Sequence, residues 1–404
     1  MSEQDSINLH NILTQVTRLD AVKLTSDLVQ IPSCSVTDFH EHKVALYICD
    51  VLRANGLQAE LSEALPGRFN VTSMIKGSGN APSLMLCGHM DTVPAYDMQD
   101  HLSGQVKDGV LYGRGACDMK GPLAAMLAAF IAVKQSGVNL AGDLVFAAVI
   151  DEEETGKGVE QLAKQGPFVD AAVIGEPTNM QLALGHKGLE WIQIEVIGKK
   201  VHGGRMHEGI NAIEMASRLI QKIYTDYVPI LNAREHPVLG RPTINVGKIK
   251  GGDQPSTVPG NCVLSIDRRR VPEETQAQVY NELEALLSGL HEADSRFNAK
   301  ISSYFPAELL MEHKPFCTDI NDPLALAALN AMKQLSFEQI TPTVFPAWTD
   351  AGILAGFTSA KCIVIGPGDL ALAHTANESI EIKQIEQAAQ FYAALAFEYC
   401  NNDR

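Results

Sequence analysis

The sequence predicts an α/β fold, a domain with a mostly parallel sheet that is interrupted along the chain by a smaller ferredoxin-like α+β domain. Two observations predict the fold. Short apolar runs alternate with helix-like segments towards both ends of the 404-residue chain, which is typical of a parallel sheet with crossover helices. The pattern of apolar and polar residues changes near Leu189, where the apolar–polar alternation of Leu189–Ile197 indicates a half-buried strand.

The amino-terminal part is predicted to contain helices and buried strands in alternation. Leu9–Val29 has apolar residues at helical spacing and is predicted as one helix, which Ile31-Pro32 ends. Glu41–Asn55 is a second helix, closed by Asn55-Gly56. The following predicted elements are the strands Ser83–Cys87, Leu144–Ile150 and Ala171–Ile174 and the helices Gly121–Gln135 and Gly158–Gln165.

The middle part predicts the order β-α-β-β-α-β of a ferredoxin-like sandwich. Its predicted elements are the strands Leu189–Ile197, Thr243–Ile249, Cys262–Arg268 and Lys300–Tyr304 and the helices Gly209–Tyr224 and Glu273–Gly289. After Phe305 the alternation of helices with continuously apolar strands resumes, with the helices Pro323–Leu335 and Ile382–Phe397 before and after the strand Lys361–Ile365. We therefore predict a discontinuous domain of residues 1–188 and 305–404, and an inserted domain of residues 189–304.

Composition excludes several classes of partner. The formal charge of -16 argues against a nucleic-acid partner and against an anionic membrane surface. The eight cysteines are scattered without a C-x-x-C pair, which indicates buried free thiols and a reducing compartment. No apolar signal segment precedes Thr25, and the longest apolar stretch, Leu123–Val133, is too short to span a bilayer. We expect a cytoplasmic protein.

Histidines and carboxylates follow the predicted buried strands. Ligands bind at the carboxyl ends of strands in open α/β sheets, so these side chains are expected to lie at one edge. An acid after a strand is often only a helix cap, and a charge run is often a solvated loop. The residues concerned are His89 and Asp91, the run Asp151–Glu154, Glu176, His374, and Asp118 in the segment Arg114–Gly121.

A pair of bound metal ions would explain why histidines and carboxylates occur at all of these positions. Zinc accepts imidazole nitrogen and carboxylate oxygen, and two metals about 3.5–4 Å apart need a bridging group such as the Asp118 carboxylate. Glu152, the neighbour of a candidate ligand, could take the proton of an activated water. Cys117 has no accompanying His or Asn pattern and is interpreted as structural.

The motifs in order resemble the metallopeptidase 20 family, which includes acetylornithine deacetylase, succinyl-diaminopimelate desuccinylase, aminoacylases and carboxypeptidase G. The resemblance covers nearly the whole chain, including the inserted domain. It implies that residues 1–188 and 305–404 form a zinc-hydrolase type of catalytic domain and that residues 189–304 form a lid or dimerisation domain. The segments that carry it are Gly88–Pro94, Arg114–Gly121, Asp151–Glu153, Gly175–Thr178 and Ala373–Glu378.

The resemblance implies a role for each metal-site residue. It gives His89, Asp118 and Glu176 as ligands of one zinc ion. It gives His374, Asp118 and Glu153 as ligands of the other. Glu152 would be the general base, and Asp91 would orient the His89 imidazole.

The resemblance also implies substrate contacts. His202 would stabilise the oxyanion in the active site of a partner subunit of a homodimer. Arg269, in Asp-x-Arg-x-x-Pro, would grip a substrate carboxylate, and the Gly366-Pro367-Gly368 loop, through Gly366 and Gly368, would contact the substrate backbone. This chain departs from the family at Met206, where Pro is usual, and at Ser256, where Asn is frequent.

The expected function is therefore that of a two-zinc amidohydrolase, with cobalt or manganese as alternative metals. It would remove an acyl group from an N-acyl amino acid, like acetylornithine deacetylase or succinyl-diaminopimelate desuccinylase; the alternative is a metallo-dipeptidase or glutamate carboxypeptidase acting on short peptides. A non-catalytic metal-binding protein would be expected to lack Glu152, and a two-metal phosphoesterase would need more basic groups.

Overall fold

The computed structural model describes residues 2–34, 41–79, 81–305 and 311–401. The chain divides into two compact units. The first comprises Met1–His186 together with Phe316–Arg404, and the second is the intervening segment Lys187–Pro315. The second unit contains residues 189–304 and extends beyond them at both ends.

Helices and strands follow one another along the chain with these bounds. The first segment forms α1 (Glu3–Val16), α2 (Ala21–Val29), α3 (His42–Ala54), β1 (Glu60–Leu65), β2 (Arg68–Ile75), β3 (Leu84–His89), β4 (Gln105–Lys107), β5 (Val110–Tyr112), α4 (Gly121–Ser136), β6 (Leu144–Val149), α5 (Lys157–Gln165), β7 (Ala171–Ile174) and β8 (Gly185–His186). The middle segment forms β9 (Gly188–Ile197), β10 (Val201–His202), α6 (Ala212–Lys222), α7 (Val228–Asn232), β11 (Thr243–Gly251), β12 (Thr257–Val258), β13 (Asn261–Arg270), α8 (Gln276–Ala293) and β14 (Ala299–Ser303). The last segment forms β15 (Phe316–Cys317), α9 (Pro323–Gln334), α10 (Ala351–Phe357), β16 (Lys361–Val364), β17 (Ser379–Glu381) and α11 (Ile382–Cys400).

The first unit is built on a six-stranded sheet of order β1-β2-β6-β3-β7-β16. Strands β6, β3, β7 and β16 are parallel, whereas β1 and β2 form an antiparallel hairpin at one edge. Every residue of β3, β6 and β7 is buried, as expected for strands covered on both faces. The predicted mostly parallel sheet is confirmed.

Helix α4 lies in the core of this unit. All residues from Gly121 to Val133 are buried. Together with the preceding turn, the stretch Ala116–Ser136 is long and apolar enough to cross a membrane by length and composition, and its most apolar window is entirely buried inside the fold.

The second unit has the predicted β-α-β-β-α-β order. Its main sheet is antiparallel, with the strand order β11-β13-β9-β14. Alternate residues of β9, namely Ile192, Ile194 and Val196, are buried with apolar residues of α6 and α8. The same alternation of apolar and polar residues in the sequence distinguished this strand from the continuously apolar strands of the first unit.

Two sequence predictions of elements were wrong. The predicted helix Leu9–Val29 is two helices, because Asp20 caps α2 through a hydrogen bond from the Lys23 amide (2.7 Å) and ends the continuity with α1. Helix α6 begins at Ala212 rather than Gly209, because the Asn211 side chain accepts hydrogen bonds from the amides of Ile213 and Glu214. All eight cysteines are free, as predicted, and six of them are buried.

Candidate metal centre and active site

The candidate metal ligands all belong to the first unit and follow its parallel strands. His89 ends β3, Glu153 follows β6, and Glu176 follows β7. His374 follows β16, and Asp118 lies in the π-helical turn Ala116–Lys120 that leads into α4. The carboxyl ends of parallel strands face one edge of a sheet, so this topology brings distant parts of the sequence to one place.

The Asp118 carboxylate lies between the two histidines. Its Oδ1 atom is 3.1 Å from His89 Nε2, and its Oδ2 atom is 3.4 Å from His374 Nε2. Glu153 Oε1 lies 3.0 Å from the same His374 nitrogen, and Glu176 Oε1 lies 3.9 Å from His89 Nε2. The two oxygens of one carboxylate therefore face two different imidazoles, each with a further acid beside it.

Glu152 also lies near His89. Its Oε2 atom is 4.0 Å from His89 Nε2, so His89, Glu152 and Glu176 form one group that could hold a metal. His89, Asp118 and Glu153 form a second such group. The structure thus brings Glu152 into the same cluster as the candidate ligands, although the family resemblance gives it the role of base.

Asp91 connects the His89 imidazole to the turn that carries Glu152 and Glu153. His89 Nδ1 lies 3.0 Å from the Asp91 carbonyl oxygen and 3.5 Å from its carboxylate. The two carboxylate oxygens accept hydrogen bonds from the amides of Glu152 (3.2 Å) and Glu153 (3.0 Å). Asp91 therefore orients the imidazole mainly through its backbone and the acidic turn through its side chain.

Burial and mutual repulsion dominate the electrostatics of the cluster. Burial raises the pKa of Glu152 and Glu176 well above the usual range, with further increases from Glu176 and Asp118 respectively. Burial lowers the pKa of His89, but contacts with Asp118 and Asp91 raise it well above its usual value. Hydrogen bonds to Asp118 and Glu153 raise the pKa of His374 to about 10. So many buried acids favour a bound cation.

Two further residues hold the backbone at Asp118. The buried Glu378 carboxylate accepts hydrogen bonds from the amides of Cys117 and Asp118, both at 3.1 Å. Arg114 donates to the other oxygen of Glu378. Both residues lie in the motif segments, but sequence reasoning assigned them no role because nothing local indicates that they meet across the chain. The Asp118–Met119 peptide bond is cis.

Asp350 is another buried acid that sequence reasoning missed. It stands directly before α10, and neither carboxylate oxygen has a hydrogen-bond partner among the described residues. Burial raises its pKa to about 7, and its charge adds to the pKa of Glu152 and Glu176. The preceding residue, Thr349, provides the helix-capping contact instead, because its hydroxyl accepts a hydrogen bond from the Ala351 amide.

Gly366 and Gly368 pack closely against the loops of the site. A side chain on Gly366 would meet the carbonyl oxygens of Gly175 and Glu176 at 2.1 and 2.6 Å, and Gly368 has a φ of 100°. Their own amides donate to Thr178 Oγ1 and Gln384 Oε1. The glycines therefore allow the loop before His374 to lie directly against the loop that carries Glu176.

The remaining candidates lie in the second unit. His202, in β10, is exposed, and its Nδ1 accepts a hydrogen bond from the Gly204 amide at 3.1 Å. Arg268 and Arg270 are buried, whereas Arg269 is partly exposed and forms a two-point ion pair with Asp267 at 2.8 and 3.0 Å. Of the three consecutive arginines, Arg269 is thus the one with an accessible guanidinium.

A parallel sheet that ends in a buried cluster of carboxylates around two imidazoles defines a class, the metal-dependent hydrolases. The chain belongs to peptidase family M20/M25/M40, whose sequence profile matches residues 85–398. It is therefore a hydrolase of a metal-dependent family that acts on amide bonds, and the resemblance seen in the sequence motifs is confirmed.

Relatives with assigned names are similar over almost the whole chain. A probable succinyl-diaminopimelate desuccinylase of Staphylococcus epidermidis is 27% identical, covering 91% of this chain and 95% of the relative. The acetylornithine deacetylase of Myxococcus xanthus is 29% identical, covering 93% and 97%. An M20 family metallo-carboxypeptidase from Sulfolobus solfataricus has the same fold, with a TM-score of 0.76, 18% identity, and 95% and 99% coverage.

Proposed function

We propose that this protein hydrolyses the amide bond of an N-acyl amino acid, like acetylornithine deacetylase or succinyl-diaminopimelate desuccinylase. The observation that carries the proposal is the position of Asp118, whose two carboxylate oxygens face His89 and His374 at 3.1 and 3.4 Å. A carboxylate placed between two imidazoles is a ligand that two metal ions could share.

The residues present fit two divalent ions. We assign one to His89, Asp118 and Glu176 and the other to His374, Asp118 and Glu153. Glu176 Oε1 supports the assignment, because it is buried and has no hydrogen-bond partner among the described residues. Imidazole and carboxylate ligands suit zinc, and cobalt or manganese would fit the same donors. When bound, the ions would supply Lewis acidity, which polarises the scissile carbonyl and acidifies a water molecule.

Glu152 is our candidate for the proton transfers. Its carboxylate lies in the cluster but, unlike that of Glu153, makes no close contact with an imidazole; its nearest imidazole nitrogen is at 4.0 Å. In the proposed reaction this carboxylate takes a proton from the attacking water and then delivers it to the departing amine nitrogen. The proton delivered to the amine is the one taken from the water, so proton delivery to the amine needs no proton from bulk solvent.

Residues of the second unit would recognise the substrate. We assign Arg269 to the substrate carboxylate, because a guanidinium binds a carboxylate through two parallel hydrogen bonds, the geometry that it already has with Asp267. We assign His202 to the oxyanion, acting across a homodimer, and the loop of Gly366 and Gly368 to the substrate backbone. When the substrate binds, its carboxylate would replace that of Asp267 as the ion-pair partner of Arg269.

A panel of substrates tests this proposal. N-acetyl, N-succinyl and N-formyl amino acids and dipeptides are compared by kcat/KM at one fixed zinc concentration, with the free amine quantified. We expect the highest kcat/KM for an acetyl or succinyl derivative that carries a free α-carboxylate, and a large loss for the matching carboxamide. A preference for dipeptides would replace the proposal by the peptidase alternative, and equal rates for acid and carboxamide would remove Arg269 from its role.

A further inference from the structure

Two polar side chains of β2, Arg68 and Asn70, are buried although they lie in none of the motif segments. We propose that they are positioning residues that hold the loop carrying Glu152 and Glu153, and so determine where the Glu152 carboxylate lies. The catalytic part of this inference rests on the proposed function of Glu152. The positional part depends only on the contacts described below.

Arg68 joins the loop to α3. Its Nη1 atom lies 2.7 Å from Asp151 Oδ1, and Asp151 directly precedes Glu152. On its other side Arg68 forms a two-point contact with the fully buried Glu41, with Nε 2.8 Å from Oε2. Both partners and Arg68 itself have side chains that are at most 9% exposed. A guanidinium held by Glu41 thus presents a fixed charge to Asp151.

Asp151 is the centre of the loop. It has a left-handed backbone conformation, with φ 71°, and its carbonyl oxygen accepts hydrogen bonds from the amides of residues 154, 155 and 156. Its second carboxylate oxygen accepts a hydrogen bond from the Thr155 hydroxyl. Left-handed backbone is unfavourable for a residue with a side chain and persists where surrounding contacts enforce it. The contact with Arg68 reaches Asp151 from outside the loop.

Asn70 holds the two ends of the same loop. Its Oδ1 accepts a hydrogen bond from the Ile150 amide (3.1 Å), and its Nδ2 donates to the Gly158 carbonyl (2.8 Å). Residues two apart on a strand point to the same face, so Arg68 and Asn70 face the loop together. Gly158 is required there, because a side chain on it would meet Ile150 backbone atoms at 2.4 and 2.5 Å.

The loop is therefore held from two directions. Asp91 binds the amides of Glu152 and Glu153, and β2 binds the residues before and after them. A catalytic group that is displaced by about 1 Å can lose about 100-fold in rate. A buried ion pair that only stabilised the fold would change the unfolding midpoint and leave kcat and the exchange of this loop unchanged.

The test compares Arg68→Met with Arg234→Met. Arg234 is a matched control, because it also pairs with two acidic side chains, Glu274 at 2.7 Å and Glu282 at 2.5 Å, but lies in the second unit and has no proposed catalytic role. Amide hydrogen exchange of residues 152–156 is measured in the full chain after metal removal. The kcat and KM of the zinc-loaded variants are then measured with the best substrate of the panel.

We expect Arg68→Met to exchange these amides about tenfold faster or more, while Arg234→Met matches the wild type there. We expect kcat to fall about 10- to 100-fold with KM changed less than about threefold. Arg68→Lys, which retains one ionic contact, should recover part of kcat, and Asn70→Ala should repeat the effect if Arg68→Met does not fold.

Wild-type exchange of residues 152–156 in Arg68→Met, or in Asn70→Ala in its place, would overturn the inference. So would faster exchange with an unchanged kcat. If the wild type hydrolyses no member of the panel, the proposed function fails by itself, and the exchange experiment still decides whether β2 holds the loop.

Discussion

In the proposed function, the positions of single side chains distinguish the acid that would bind metal from the acid that would move protons. Glu152 and Glu153 are adjacent in sequence, and Asp91 holds both of their amides, yet their carboxylates differ. The Glu153 carboxylate contacts the His374 imidazole at 3.0 Å, whereas the Glu152 carboxylate lies 4.0 Å from the His89 imidazole. A difference of this kind cannot be read from the run Asp151–Glu154, in which every residue is an acid.

Replacing these residues separates the two roles. We expect Glu152→Ala to retain the metal content of the wild type and to lose about 10²- to 10⁴-fold in kcat, because it removes a general acid–base group. We expect His89→Ala to lose metal. Metal content by elemental analysis and kcat are measured together, with the exposed neighbour Glu154→Ala as control. Loss of metal in Glu152→Ala would show that Glu152 is a ligand.

Sequence reasoning identified the members of the cluster better than the residues that support them. The sequence predicts that five residues meet, because each follows a buried strand or precedes a helix. They are His89, Asp118, Glu153, Glu176 and His374. Glu378, Asp350 and Arg68 could not be found in this way. The partners of Glu378 and Arg68 lie far along the chain, and Asp350 has no hydrogen-bond partner among the described residues. A buried Arg, Asp or Glu has the same sequence signature as an exposed one.

At the scale of elements, buried polar residues concealed one strand. Strand β2 carries Arg68, Asn70, Thr72 and Ser73, all buried, so it lacks the continuous apolar run that revealed β3, β6 and β7. The hairpin of β1 and β2 was not predicted for this reason. Two of these polar residues, Arg68 and Asn70, are the ones that hold the acidic loop. The side chains that position the loop are therefore also those that made the strand hard to predict from the sequence.

His313 lies in the segment that pairs with the start of β9, and it should make the free energy of unfolding depend on pH. His313 is largely buried, and burial together with the charges of Arg270 and Arg269 lowers its pKa to about 4. An unfolded histidine titrates near about 6.5, so between these values the unfolded chain binds more protons and stability falls as the pH falls. We expect a loss of about 1–2 kcal/mol from this residue on going from pH 7.5 to 5.

Unfolding of the second unit can be followed through Trp191 in a Trp348→Phe background, since the chain has only two tryptophans. Urea unfolding at pH 7.5 and 5 is compared for this protein with and without His313→Gln. The difference between the two proteins isolates His313 from the other titrating groups. Equal pH dependence in both would mean that His313 is protonated in the folded state at pH 5.

At the scale of the whole molecule, the proposed reaction draws on both units. The candidate metal ligands and Glu152 belong to the first unit, and the candidate substrate-contacting residues His202 and Arg269 belong to the second. The order of elements predicted both architectures, because continuous apolar runs and alternating strands are different signals. No signal of this kind fixes the acyl group, which depends on a few side chains around the substrate.

Mixing variants tests whether His202 acts across a homodimer. An equimolar mixture of His202→Ala and Glu152→Ala chains should recover up to about a quarter of wild-type activity, because half of the dimers formed at random contain one intact site. A mixture of Glu152→Ala and His89→Ala should recover none, since both changes affect the same unit. No recovery in the first mixture, under conditions where subunits exchange, would place His202 outside a shared site.

The central claim is that this cluster hydrolyses amides only with metal bound. The direct measurement is the hydrolysis of the best N-acyl amino acid by protein stripped with a chelator and then titrated with zinc. We predict no turnover in the stripped protein and a rise in activity that saturates near two equivalents of zinc per chain. Undiminished hydrolysis by protein shown to be free of metal would contradict the account.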